Sequence, residues 1–339
     1  MREPPANLAD DTLYSCLRAG YGLDPTELTF LPLGHDASAW VYRVRAAAGR
    51  VYFLKVRLSV TNEVGLAVPR FLHDHGVARV IAPLPTTTGT LWTTAGDYAL
   101  ILYPFIAGVT GMERGMSDRQ WVDYGALLRQ VHEAAVTPEL ARLMRRDTFT
   151  PNGADLLRRL DAHLGASQFD DPAEQALAAF WQAHQADIQL LLDRAEDLGR
   201  RLAAMEPELV LCHADIHTAN VLLDNAGQVW FVDWDETMLA PRERDLMFVV
   251  GGISSRLVGP REKELFFQGY GAATIAPLAL AYYRYAWAVS DISEYGAQVC
   301  FRPDFGPVTR RAGLDGFLSL FQPGEIVSLA FASDTGAAA

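Results

Sequence analysis

Apolar positions along this chain recur with two different periods, and the change falls near residue 105. Before it, short alternating or continuous runs of β-branched and aromatic residues predict strands over 28–33, 40–45, 51–58, 77–83 and 98–105, behind a short amphipathic helix at 13–21. After it, helical spacing dominates. Ser117-Asp-Arg-Gln120 is a capping box that opens a helix through Trp121, Tyr124, Leu127, Leu128 and Val131. Asp171 followed by Pro172 and Glu174 starts another, with proline at the first helical position, running to about 204. Segments 261–270, 277–299 and 312–332 add helices, and 333–339 reads as a frayed tail. The pattern predicts an α+β chain of two lobes. The first is β-rich and spans 1–105; the second is mainly helical, spans 106–339 and carries a helical insertion at about 110–205.

One segment carries chemistry. Residues 213–220 run His-Ala-Asp-Ile-His-Thr-Ala-Asn, and Asp233 follows after the strand 221–223, the turn Asp224-Asn-Ala-Gly227 and the strand 229–232. H-x-D-x-x-x-x-N, then strand, turn and a strand ending in Asp, is the spacing of a kinase catalytic loop and its metal-binding segment. Phosphoryl transfer requires a carboxylate within reach of the incoming hydroxyl, here Asp215. It also requires oxygen ligands for Mg²⁺ on the nucleotide phosphates, here Asn220 and Asp233. His213 and His217 fit orienting roles. A zinc reading of the His pair fails for want of a third ligand motif.

The basic residues sharpen this assignment. Of 29, only Lys55 and Lys263 are lysine. Lys55 lies inside the strand Val51-Tyr-Phe-Leu-Lys-Val56, on the face shared by Val51 and Phe53, where an apolar residue is usual. A compact ammonium suits phosphate oxygens in a way the wider guanidinium does not. Lys55 is therefore the candidate phosphate lysine, and Lys263 a solvated helix charge. Glu63, on the first turn of a helix capped by Thr61 and kinked at Pro69, is the expected partner of Lys55. The loop 34–38, with its Ser38 hydroxyl, is placed to cover the nucleotide phosphates. No P-loop motif is present. Tyr103-Pro-Phe-Ile106 forms a hinge: Pro104 ends strand pairing and frees backbone groups near Tyr103 and Phe105 for an adenine, with Leu222 and Val232 to sandwich the ring.

Composition narrows the partners. Half the residues are hydrophobic, yet no run reaches the ~20 apolar residues of a membrane span, and the N-terminus has no signal-peptide core. Three scattered cysteines match neither a metal motif nor a disulfide framework, which fits a reducing, cytoplasmic setting. A net charge of −12 argues against nucleic-acid and membrane partners and accords with a cationic small-molecule substrate. Oligomeric state is not legible.

On His213–Asn220, Asp233, Lys55, Tyr103–Ile106, Gln130–Glu133 and 232–247, the chain resembles the aminoglycoside phosphotransferase family, and within it the spectinomycin phosphotransferases. That resemblance implies a protein-kinase-like fold and an ATP- and Mg²⁺-dependent transfer to a hydroxyl of an aminocyclitol or aminoglycoside antibiotic, conferring resistance. Asp215 matches the catalytic base, Asn220 and Asp233 the metal ligands, Lys55 the phosphate lysine, and Asp245 an aspartate that braces the catalytic loop. Ala stands at 214, where protein kinases carry Arg, so control by activation-loop phosphorylation is not implied. Asp235, Glu236, Asp291 and Glu294 are candidate carboxylates for a cationic acceptor. The alternatives are a metabolite kinase of the same fold, acting on choline, homoserine, methylthioribose or a fructosamine, and a catalytically inactive binding module.

Overall fold

The computed structural model describes residues 4, 5, 7–32, 39–47, 49–58, 62–166, 169–303 and 305–333. Ser38, Thr61 and the tail beyond 333 lie outside them. Two compact units make up the chain, 1–144 with 215–237, and 145–214 with 238–339; the segment 103–106, expected to form a hinge, lies inside the first.

In chain order, the first unit opens with α1 (Asp10–Tyr21). Leu13 and Leu17 bury one face of this helix, Asp10 and Asp11 sit at the positive end of its dipole, and Gly22 closes it at φ 64°. Strands β1 (Pro25–Leu31), β2 (Ala39–Ala46) and β3 (Val51–Arg57) follow, then α2 (Val64–Asp74), β4 (Thr93–Ala95) and β5 (Tyr98–Pro104). They form an antiparallel sheet in the order β1-β2-β3-β5-β4. Leu54 and Val56 of β3 pack with Tyr42, Val44, Leu100 and Leu102 against Leu13 and Leu17. That alternation leaves Val51, Phe53, Lys55 and Arg57 half-buried on the opposite face.

Next come β6 (Gly108–Thr110), α3 (Gly111–Arg114), α4 (Asp118–His132) and α5 (Pro138–Leu143). The capping box at Ser117 forms as expected, Ser117 and Gln120 each accepting the other's backbone N–H. The second unit contributes α6 (Ala154–Ala166), α7 (Pro172–Ala204) and β7 (Val210–Cys212). Asp171 caps α7 by accepting the N–H groups of Ala173 and Glu174. A single 3₁₀ turn (Thr218–Asn220) then leads into β8 (Val221–Asp224) and β9 (Val229–Phe231) of the first unit, which join β6 in the order β6-β8-β9. The Asp224–Gly227 turn closes that hairpin, Asp224 Oδ1 accepting from Ala226 and Gln228. Last come β10 (Met238–Ala240), paired with β7, then α8 (Glu243–Leu246), α9 (Pro260–Tyr270), α10 (Pro277–Cys300), α11 (Pro307–Ser319) and α12 (Ile326–Ala332). No helix among the described residues is long and apolar enough to cross a membrane.

Three expectations change. The strand expected over 77–83 reduces to one parallel bridge, Val80 beside Phe231, because Pro83 and Pro85 offer no N–H to carry the pairing on. The helix expected over 312–332 is two, divided where Pro323 lacks a donor and Gly324 takes φ 82°. Pro104 is the last residue of β5, opposite Tyr52, but it does not free the residue after it: Phe105 N–H donates to Val51 O at 3.3 Å.

Candidate functional site

The turn between β7 and β8 positions the candidate base. Asp215 Oδ2 accepts from Asn220 Nδ2 at 2.9 Å, and the same amide donates to Asp215 O at 2.7 Å. With Nδ2 directed at Asp215, Asn220 Oδ1 is the atom left for a metal. The second carboxylate oxygen faces His217 Nε2 at 3.3 Å. His217 Nδ1 accepts from Ala219 N–H, which places the ring's proton on Nε2, toward Asp215. The carboxylate is thus held from both sides while remaining partly exposed, as a base that must meet a substrate hydroxyl requires.

Asp233 lies two residues beyond the end of β9. It is exposed and takes φ 60°, a left-handed conformation that Asp tolerates better than most residues and that recurs at functional turns. Val232 N–H donates to Asn220 O at 3.1 Å, tying the segment that leads from β9 to Asp233 to the turn bearing Asn220. One amide oxygen and one exposed carboxylate, on backbone segments joined directly, are a hard-oxygen donor set that fits Mg²⁺.

Lys55 does not pair with Glu63. Its Nζ lies 3.1 Å from Asp235 Oδ2, and Arg57 Nη1 lies 3.1 Å from both oxygens of the same carboxylate. Glu63 stands exposed at the start of α2, which begins two residues later than a Thr61 cap would have set it. Asp235 reaches Lys55 because Gly65 faces it: a Cβ there would come within 3.0 Å of Asp235 Oδ1 and 3.2 Å of its Cα. Asn62 secures the contact by donating to Asp235 O. Tyr103 lies in the same region. Burial, then the Asp235 and Asp233 carboxylates, push its hydroxyl well above the usual tyrosine range.

In the second unit Asp245 is fully buried and accepts the backbone N–H groups of His213 (2.8 Å) and Ala214 (2.7 Å). Ala214 has φ 68°, so the carboxylate supports a strained turn immediately before Asp215.

A profile described as the phosphotransferase enzyme family matches residues 29–284. The chain belongs to this family. It is similar over nearly its whole length to spectinomycin phosphotransferase APH(9)-Ia in complex with ADP and spectinomycin: 32% identity, 97% of this chain and 99% of that one, TM-score 0.87. An AMP-bound complex of the same phosphotransferase gives 30% identity over 95% and 98% of the two chains, with a TM-score of 0.81. The protein StrN of Streptomyces griseus is 27% identical over 282 residues, 80% of this chain and 79% of StrN. These likenesses establish a protein-kinase-like fold and a phosphotransferase.

Within this phosphotransferase frame, the remaining candidates divide. Leu222 on β8 and Val232 are half-buried, with apolar surface available to a ring, and Phe105 lies under the Arg43 guanidinium at 5.4 Å. Asp235 is engaged with two cations of its own unit and is therefore not a free acceptor carboxylate. Glu236 is exposed. Asp291 and Glu294 lie on α10; Glu294 lines a pocket of about 510 Å³ with Asp155, Arg158, Glu196 and Ser293. Arg57 and Asn62 were missed by sequence reasoning. The signal for Arg57 was its place two residues after Lys55 on the same strand face.

Proposed function

We propose that this phosphotransferase is an ATP- and Mg²⁺-dependent kinase that phosphorylates a hydroxyl of an aminocyclitol antibiotic, with spectinomycin the leading candidate. The observation that carries the reading is full-length likeness to spectinomycin phosphotransferase together with an Asp215 held by Asn220 and His217. Asp215 takes the proton of the acceptor hydroxyl as its oxygen attacks the γ-phosphorus and the bond to the β-phosphate oxygen breaks. Lys55 neutralises phosphate oxygens. Asn220 and Asp233 would hold Mg²⁺, which would supply positive charge to offset that of the phosphate oxygens.

Asp235 is assigned to the nucleotide side: it aims Lys55 and offsets Arg57. Asp235→Asn leaves the Lys55 and Arg57 cations facing each other without their shared anion. It is expected to lower kcat/KM for ATP by about ten- to a hundredfold, the scale of a misplaced catalytic group, with the KM for the acceptor little changed. An effect confined to the acceptor KM would return Asp235 to the substrate pocket. Asp233→Ala and Asn220→Ala are expected to raise the Mg²⁺ concentration needed for half-maximal rate, Asp233→Ala more, because a charged ligand offsets more of the cation's charge than an amide does. Magnesium titrations that overlay wild type would remove either residue from the ligand set.

The deciding experiment is a coupled ADP-release screen of purified protein against spectinomycin, multi-ring aminoglycosides, choline, homoserine, methylthioribose and fructosamines. Spectinomycin turnover that exceeds the rest supports the proposal. Brisk turnover of a metabolite alone assigns the same machinery to a metabolic kinase.

A further inference from the structure

Away from the phosphotransfer residues, three elements of the second unit bring together a nitrogen, an oxygen and a sulfur donor. His163 projects from α6, Glu174 from the first turn of α7 and Cys300 from the last residue of α10. One ligand atom from each lies within 4.8 Å of the others. His163 Nε2 has no solvent contact and no hydrogen-bond partner. Glu174 Oε1 stands 3.7 Å from it, beyond the 2.7–3.2 Å of a hydrogen bond. That gap is close to the roughly 3.3–3.6 Å that separates two ligands on one tetrahedral zinc, given Zn–N and Zn–O bonds of about 2.0–2.2 Å and Zn–S of about 2.3 Å.

The surroundings hold the three groups in place. The rings of Phe169 and Phe301 flank His163, each at 5.2 Å, and fix its plane. Asp171 is committed to capping α7 and to Arg310 at 3.6 Å, so it is not a competing ligand. Arg159 covers the Phe301 ring. We propose that His163, Glu174 and Cys300 form a zinc-binding site that ties α6, α7 and α10 together, with water in the fourth position. Zn²⁺ would replace the Cys300 thiol proton, which leaves to the buffer as the Zn–S bond forms, while His163 binds through Nε2 and Glu174 through a carboxylate oxygen.

The test uses the full chain stripped with a chelator and titrated with Co²⁺, a spectroscopic substitute for zinc. Wild type is expected to show a thiolate-to-cobalt charge-transfer band that saturates near one equivalent and is displaced by Zn²⁺. Cys300→Ser should abolish the band. His163→Gln and Glu174→Gln should each weaken binding at least about tenfold. Zn²⁺ should raise the Tm of wild type but not that of Cys300→Ser. No band in wild type overturns the site without recourse to any variant. A band that survives in Cys300→Ser, or Gln variants with unchanged affinity, overturns it equally.

Discussion

Asp215→Asn is expected to lower kcat at least about a hundredfold while the Kd for ATP stays near wild type. The two effects separate because, in the proposed mechanism, the Asp215 carboxylate acts on the acceptor hydroxyl, whereas Lys55, Asn220 and Asp233 act on the nucleotide and its metal. The structure sharpens the loss beyond that of a base. Both oxygens of Asp215 now face donors, Asn220 Nδ2 at 2.9 Å and His217 Nε2 at 3.3 Å. An amide supplies one acceptor only, so its NH₂ group must oppose one of those donors and turn the side chain away. Steady-state kinetics with saturating spectinomycin and calorimetric ATP binding together check it. A kcat within a few-fold of wild type would remove Asp215 from the base role, whatever the substrate.

The turn that carries the candidate base was legible because its signal is local. Asp215 and Asn220 are five residues apart, and their contact follows from one short turn and the strand after it. The candidate Asp233 stood out for the same reason, two residues past the second strand of a hairpin whose Asp224–Gly227 turn is itself a local signal. Lys55 stood out from composition: in a chain that uses arginine 27 times and lysine twice, a lysine inside a strand is singled out as a candidate where a compact ammonium is wanted.

The partner of Lys55 was not legible, because it lies 180 residues away. Sequence offered Glu63, near in the chain and plausible on a helix. It could not show that α2 would start at Val64, leaving Glu63 in solvent, or that Gly65 would open the way for Asp235. The Asp-Trp-Asp run held the second carboxylate in view, but its charge alone suited a cationic acceptor as well as a lysine. The helical remainder followed the same rule. Capping boxes and N1 prolines gave the starts of α4 and α7, whereas the cluster of His163, Glu174 and Cys300 arises from packing of three helices and has no sequence spacing to announce it.

Asp245→Ala is expected to destabilise the fold and depress turnover together. The carboxylate is fully buried and satisfies two backbone donors, so its removal leaves both without that acceptor in the interior. At about 1–3 kcal/mol for each unsatisfied group, the loss is a large share of the 5–15 kcal/mol that holds a typical domain folded. Asp245→Asn keeps one acceptor and should fall between the two. Urea unfolding is the measurement: a lower midpoint with an unchanged slope assigns the effect to the native state. Kinetics below the unfolding range then isolate the second consequence. Ala214 holds φ 68°, a conformation costing an L-residue roughly 1–2 kcal/mol, and Asp245 is what keeps it there, one residue before Asp215. Released, the backbone relaxes toward the right-handed region and carries Asp215 out of line, so kcat should fall even in the folded fraction. Wild-type urea stability in Asp245→Ala would show that other groups satisfy the two N–H donors. Wild-type kcat in a destabilised variant would show that the turn keeps its shape unaided.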